Sequence, residues 1–118
     1  MKIAITSQNF RTITGHVGKT RRFLIYEVGV DGRIVAAEKL EIPPELTFHE
    51  LRENDVNEHP LDQVKVLITG GAGAHFVQRL GQRGIQVCIT AETDPMQAIQ
   101  GFLTNTLVTT SSCDHHPH

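Results

Sequence analysis

Hydrophobic residues occur along this chain in short blocks whose spacing alternates between strand-like and helix-like. Lys2-Ile3-Ala4-Ile5-Thr6-Ser7 is isoleucine-rich and weakly alternating, the pattern of a buried strand. A polar loop follows, then the β-branched and aromatic run Arg22-Phe23-Leu24-Ile25-Tyr26-Glu27-Val28. Val30-Asp31-Gly32-Arg33 supplies the Asp-Gly turn of a hairpin, and Ile34 to Ile42 returns as its partner strand. Pro43-Pro44 stops that strand. Leu46 to Leu51 reads as a helix start, with Thr47 and Glu50 at capping-box spacing and Leu46 and Leu51 placed to close a hydrophobic staple.

Asn54 to Pro60 is polar and irregular, with His49 and His59 expected at the surface. Val64 to Thr69 is a short apolar strand, and Gly70-Gly71-Ala72-Gly73 leads into a helix carrying Phe76, Val77 and Leu80. Gly81 and Gly84 end that helix before the strand Ile85 to Thr90. Asp94 is the expected N-cap of a last helix with Pro95 at its first position. Met96, Ile99, Leu103 and Leu107 form its apolar stripe. From Thr109 the periodicity stops, so residues 1–108 are expected to form one domain and 109–118 a flexible tail.

The order β-β-β-α-β-α-β-α predicts an α/β protein. A leading antiparallel hairpin joined to two strand–helix units gives a mixed five-stranded sheet in a three-layer α/β/α arrangement. Right-handed crossovers bring the carboxyl ends of the first, fourth and fifth strands to one edge, where open α/β sheets bind ligands. The loop carrying His16 and the loop leading to His75 both leave from that edge.

Composition narrows the function classes. The 118 residues are 39% hydrophobic and 20% charged, which describes a globular domain with one real core. A net charge of −2 leaves no electrostatic footprint for nucleic acid or an anionic membrane. The strand-like amino terminus and the lack of a long apolar run predict neither a leader nor an anchor. Two cysteines make no disulfide framework. Cys88, in the run Ile85-Gln86-Val87-Cys88-Ile89, is expected to be a buried, inert thiol in a reducing cytoplasm.

Chemistry-bearing residues concentrate at the carboxyl end. Cys113-Asp114-His115-His116-Pro117-His118 offers a thiol and three imidazoles, the ligands of soft and borderline metal ions. Cys113, His115, His116 and His118 are thus candidate ligands for a divalent metal. Gly15-His16-Val17-Gly18-Lys19-Thr20 ends like a nucleotide-binding phosphate loop. Ile13 occupies the position of the required first glycine, and the segment that follows is strand-like rather than helical, so the match is a decoy. Gly70, Gly71 and Gly73 allow backbone to approach an anion, or else simply a tight turn with close helix–strand packing. The dinucleotide fingerprint fails there, because Phe76 stands at its third glycine. Metal-dependent nuclease chemistry would require clustered carboxylates, and the first strand holds none. No Gly-x-Ser-x-Gly elbow or positioned cysteine–base pair argues for a hydrolase.

Gly15-His16-Val17-Gly18-Lys19 followed by Phe23-Leu24-Ile25-Tyr26-Glu27-Val28 resembles the opening of the dinitrogenase iron–molybdenum cofactor-binding family, the NifX- and NafY-type domains. Val66-Leu67-Ile68-Thr69-Gly70-Gly71-Ala72-Gly73 resembles its later strand and glycine turn. Leu80, Gly84 to Val87 and the helix from Asp94 through Leu103 are similar to its close. The resemblance spans residues 1 to 108. It implies a ribonuclease H-like fold without nuclease activity, which binds or carries an iron–molybdenum or related metal–sulfur cluster, or its precursor, during cofactor biosynthesis.

Under that resemblance His16 falls on the family's His-x-Gly position, with Gly18 beside it, and Gly70, Gly71 and Gly73 form the glycine turn. His75 is a candidate from local chemistry alone. Clusters are ordinarily held by several thiolates, and the chain has few, so transient binding and release is the mode expected. Donor and acceptor proteins are the implied partners, with the chain a monomer or weak homodimer. The alternatives are a mononuclear metal-binding or regulatory interaction domain, and a small-molecule or phosphate binder at Gly70 to Gly73.

Overall fold

The computed structural model describes residues 1–51, 58–104 and 107. Five strands form a single mixed sheet: β1 (Lys2–Thr6), β2 (Arg22–Val28), β3 (Ile34–Glu41), β4 (Val66–Thr69) and β5 (Gln86–Ile89). Across the sheet they run β3-β2-β1-β4-β5. The β1–β2 and β2–β3 pairs are antiparallel, whereas β1–β4 and β4–β5 are parallel. Helix α1 (Ala74–Gln82) connects β4 to β5, and α2 (Pro95–Leu103) follows β5.

Alternation along the strands sorts side chains into two cores. Ile3 and Ile5 of β1, Val66 and Ile68 of β4 and Cys88 of β5 pack with Ala98, Ile99 and Phe102 of α2. Ala4, Phe23, Ile25, Leu67 and Val87 face the other way, against Leu80 of α1 and against Ile42, Phe48 and Leu61 of the β3–β4 connection. The three-layer expectation thus holds, with α1 and α2 on opposite faces of the sheet. The Asp-Gly turn also forms, with Gly32 at φ +81° and the Gly29 amide donating to the Arg33 carbonyl at 2.8 Å. At the head of α2 the Asp94 carboxylate accepts from the Met96 amide at 3.0 Å, and Pro95 occupies the first turn.

Several expectations are corrected. Leu46 to Leu51 is not the start of an α-helix. A 3-10 turn over Pro44–Leu46 runs into a hydrogen-bonded turn closed by the Glu50 and Leu51 amides on the Thr47 carbonyl. The Thr47 hydroxyl donates back to the Pro44 carbonyl at 2.8 Å instead of capping forward, which removes the nucleus of the helix. Among the described residues, only two α-helices therefore accompany the sheet.

His59, expected at the surface, is only 5% exposed. Its Nδ1 accepts from the Leu61 amide at 3.0 Å, so Nε2 carries the proton and donates to the Leu46 carbonyl at 2.7 Å. Its ring stacks on Phe48 with centroids 4.7 Å apart. The apolar face of α2 also differs. Met96 is 41% exposed, and Ala98, Ile99 and Phe102 do the packing, with Leu103 and Leu107 at its margin. Cys88 is fully buried, as expected, but takes part in a disulfide rather than standing as an inert free thiol.

Candidate functional site

The loops leaving the carboxyl ends of β1 and β4 are held together by their main chains. The Thr14 amide donates to the Thr6 carbonyl at 2.9 Å, the Gly70 amide to the Thr14 carbonyl at 3.0 Å, and the Val17 amide to the Gly71 carbonyl at 3.2 Å. Glycine is what permits this approach. A Cβ on Gly70 would meet the Thr14 carbonyl at 3.3 Å, and one on Gly15 would lie 3.4 Å from the Gly71 nitrogen. Beneath the crossing, the fully buried Thr6 and Thr69 hydroxyls lie 2.8 Å apart, and both are within hydrogen-bonding reach of the Thr14 carbonyl.

His16 sits at the turn of the first loop in the left-handed region, φ 59° and ψ 56°. For a residue with a side chain this conformation is uncommon and persists only where the surroundings enforce it. The enforcement is visible. His16 precedes the short 3-10 helix Val17–Lys19, and the buried Thr20 hydroxyl donates to the carbonyls of Gly15, at 3.2 Å, and His16, at 3.0 Å. Thr20 is thereby committed to shaping the loop. The resemblance of Gly18-Lys19-Thr20 to a phosphate loop has no structural counterpart, since a 3-10 turn and β2 follow instead of an α-helix.

Around this crossing lies a cavity of about 430 Å³, a size suited to a small ligand. Its wall is formed by Gly15, His16, Val17, Gly18 and Lys19 of the first loop, Gly70, Gly71, Ala72 and Gly73 of the second, His49, and Phe76 of α1. Two histidines, one lysine and five glycines are among the lining residues. None of these residues bears a carboxylate or a thiol. The amides of Ala72 and Gly73, just ahead of α1, donate to no protein acceptor among the described residues. With the amino terminus of α1 adjoining, the cavity favours negative charge although the chain as a whole is slightly acidic.

Gly18 and Phe76 fix the floor. A Cβ on Gly18 would fall 2.5 Å and 2.6 Å from atoms of the Phe76 ring, so the ring can occupy its place only against glycine. Of the residues expected from sequence, His16, Gly18, Gly70, Gly71 and Gly73 are brought together here. His75 is not among the lining residues; it is exposed, and its ring stands edge-on to Phe76 with centroids 5.5 Å apart. Cys113, His115, His116 and His118 lie outside the described residues. Among those described, no group of three or more histidine, cysteine, aspartate or glutamate side chains is arranged to hold a metal ion.

His49 was not anticipated as a lining residue. It is exposed, and its backbone amide donates to the Gly18 carbonyl at 2.7 Å, which ties the turn after β3 to the His16 loop. Arg79 of α1 holds the same turn from beneath, donating to the carbonyls of Phe48 at 2.8 Å and Leu51 at 3.0 Å. No sequence spacing links His49 to His16; only the fold makes them neighbours of one cavity.

A family model described as "Dinitrogenase iron-molybdenum cofactor" matches residues 1–105. No curated protein matches the chain in sequence. Solved structures share its fold. The protein mj0327 of Methanocaldococcus jannaschii is 16% identical, with a TM-score of 0.66 over 95% of this chain and 96% of that one. The protein TM1290 of Thermotoga is 18% identical, with a TM-score of 0.60 over 98% of both chains. The apo form of the orange protein of Desulfovibrio gigas is 21% identical, with a TM-score of 0.62 over 94% of this chain and 93% of that one. At these identities the likeness is one of fold.

Proposed function

Because this chain belongs to the dinitrogenase iron–molybdenum cofactor family, we propose that it binds and carries an iron–molybdenum or related metal–sulfur cluster, or its precursor, without catalysing a reaction. The cargo occupies the cavity between the two glycine loops. His16 contacts a metal of the cargo, and the main chain around Gly18, Gly70, Gly71 and Gly73 lies against its sulfides. Donor and acceptor proteins for the cluster are its partners, and the cytoplasm is where it works.

The observation that carries this reading is the chemistry of the cavity wall. His16, His49, Lys19 and the Ala72 and Gly73 amides, which have no protein acceptor among the described residues, line about 430 Å³, with no carboxylate or cysteine among the described lining residues. Such a wall suits an anionic ligand that brings its own sulfur. It suits a bare divalent ion poorly, because no three-ligand set is present among the described residues. Nitrogen contacts without thiolates also suit a cargo that must be handed on, since an all-cysteine site would retain it.

The test is anaerobic reconstitution with ferrous iron, molybdate and sulfide, read by elemental analysis and visible absorption. The native chain, His16→Ala and a truncation before Cys113 are compared. The expected result is bound metal and sulfide in the native chain and the truncation, with most of both lost in His16→Ala. Colourless protein holding only a divalent metal, lost with the tail, would replace this reading by a mononuclear metal site.

A further inference from the structure

We infer that His49 is a second contact for the same cargo, so that the cavity grips from two separate segments, the β1–β2 loop through His16 and the β3–β4 connection through His49. This rests on the carrier reading above and adds a residue to it. Among the described residues of the β3–β4 connection, His49 is the one that lines the cavity. The side chains around it are spoken for: Phe48 is buried in the core, Thr47 bonds back to Pro44, and His59 is sealed between Leu46 and Leu61.

The turn is also unusually well held for a segment of irregular structure. From α1 the Arg79 guanidinium bonds two of its carbonyls, and the Phe48 ring is stacked beneath it on His59. Toward the cavity, the His49 amide is fixed to the Gly18 carbonyl at 2.7 Å. These bonds position the backbone of an exposed imidazole beside the cavity without using its ring, which no described bond engages. A fixed backbone of this kind lowers the entropy cost of bringing the imidazole onto a ligand, a benefit a solvated surface histidine does not need.

Two imidazoles fall short of the three protein ligands typical of an open zinc site, which explains why the pair forms no metal site by itself. A sulfide-bearing cluster completes its own coordination, and two nitrogen contacts from different segments then hold it at two points. Losing either contact weakens the grip without abolishing it. Because the His49 turn is bonded to Gly18, the two contacts reinforce each other.

The test uses the full chain and one probe, tetrathiomolybdate with ferrous iron added anaerobically, titrated by visible absorption. Native protein, His16→Ala, His49→Ala, His49→Gln and His49→Lys are compared, with circular dichroism to verify folding of each. About tenfold weaker binding is expected for His49→Ala and His49→Gln, with no restoration by His49→Lys, since the lost contact is a nitrogen donor rather than a charge. Binding unchanged in His49→Ala and lost in His16→Ala would overturn the role of His49 while leaving the carrier reading intact. Restoration by His49→Lys would likewise overturn it, by reducing the imidazole to electrostatics. Absence of probe binding in the native chain would overturn the carrier reading itself, and this inference with it.

Discussion

At the scale of single residues, Gly18 carries the sharpest steric constraint. A methyl group there collides with the Phe76 ring, whose outer atoms must swing away. Gly18→Ala is expected to cost about 1–2 kcal/mol, the range for overfilling a packed site, and to distort the cavity floor. The cost should shrink when Phe76→Ala is present, a coupling that a double-mutant cycle on thermal or urea unfolding would detect. Tyr26 offers a second local probe, since it is the only tyrosine. Burial first, and the Asp94 carboxylate second, raise its phenol above the ordinary value of 10.0. Its phenolate absorbance should therefore appear at higher pH than free tyrosine, and Asp94→Asn should move it part of the way back. The sign for stability follows: the protonated form is favoured by folding, so this contribution is intact below the unfolded value and is lost as pH climbs through the folded one. Other residue roles were less accessible from sequence. The position of His16 at the cavity was legible because it stands in a His-x-Gly segment beside glycines. The position of His49 there was not, because the fold sets it through a backbone bond to Gly18, thirty-one positions away.

Among the elements, the strands and α2 were readable and the β3–β4 connection was not. The hairpin announced itself through Asp31-Gly32 between β-rich runs, and α2 through Asp94-Pro95; both signals are local and act within a few residues. Thr47 and Glu50 have the spacing of a capping box, yet spacing does not decide which way a hydroxyl points. Thr47 turns toward Pro44, and tertiary bonds take over the segment. His59 was misplaced for a related reason: a histidine in a polar stretch looks solvated until both ring nitrogens find main-chain partners. The turn over 47–51 depends on Arg79 for two of those tertiary bonds. Arg79→Met should cost about 1–3 kcal/mol, as expected for charge-assisted bonds lost at half-buried carbonyls. Hydrogen exchange should show the loss concentrated at the amides of His49, Glu50 and Leu51, and more weakly in the sheet.

Across the whole molecule, the sheet is unevenly covered. β1 and β4 are flanked on both sides by other strands and packed on both faces, whereas β3 is an edge strand whose residues are mostly exposed. Native-state hydrogen exchange should therefore rank the amides of β1 and β4 as slowest, opening only with global unfolding, and those of β3 among the first strand amides to exchange. The reverse order would mean that the parallel half of the sheet opens before the hairpin. The same arrangement places the cavity above the carboxyl ends of the two best-anchored strands, so its glycine loops spring from rigid supports. Among the described residues its wall holds no sulfur atom. If the cavity carries the metal–sulfur load proposed above, air that destroys that load would find no sulfur among the described lining residues to oxidise to a sulfenate or a mixed disulfide, so the damage would fall on the passenger.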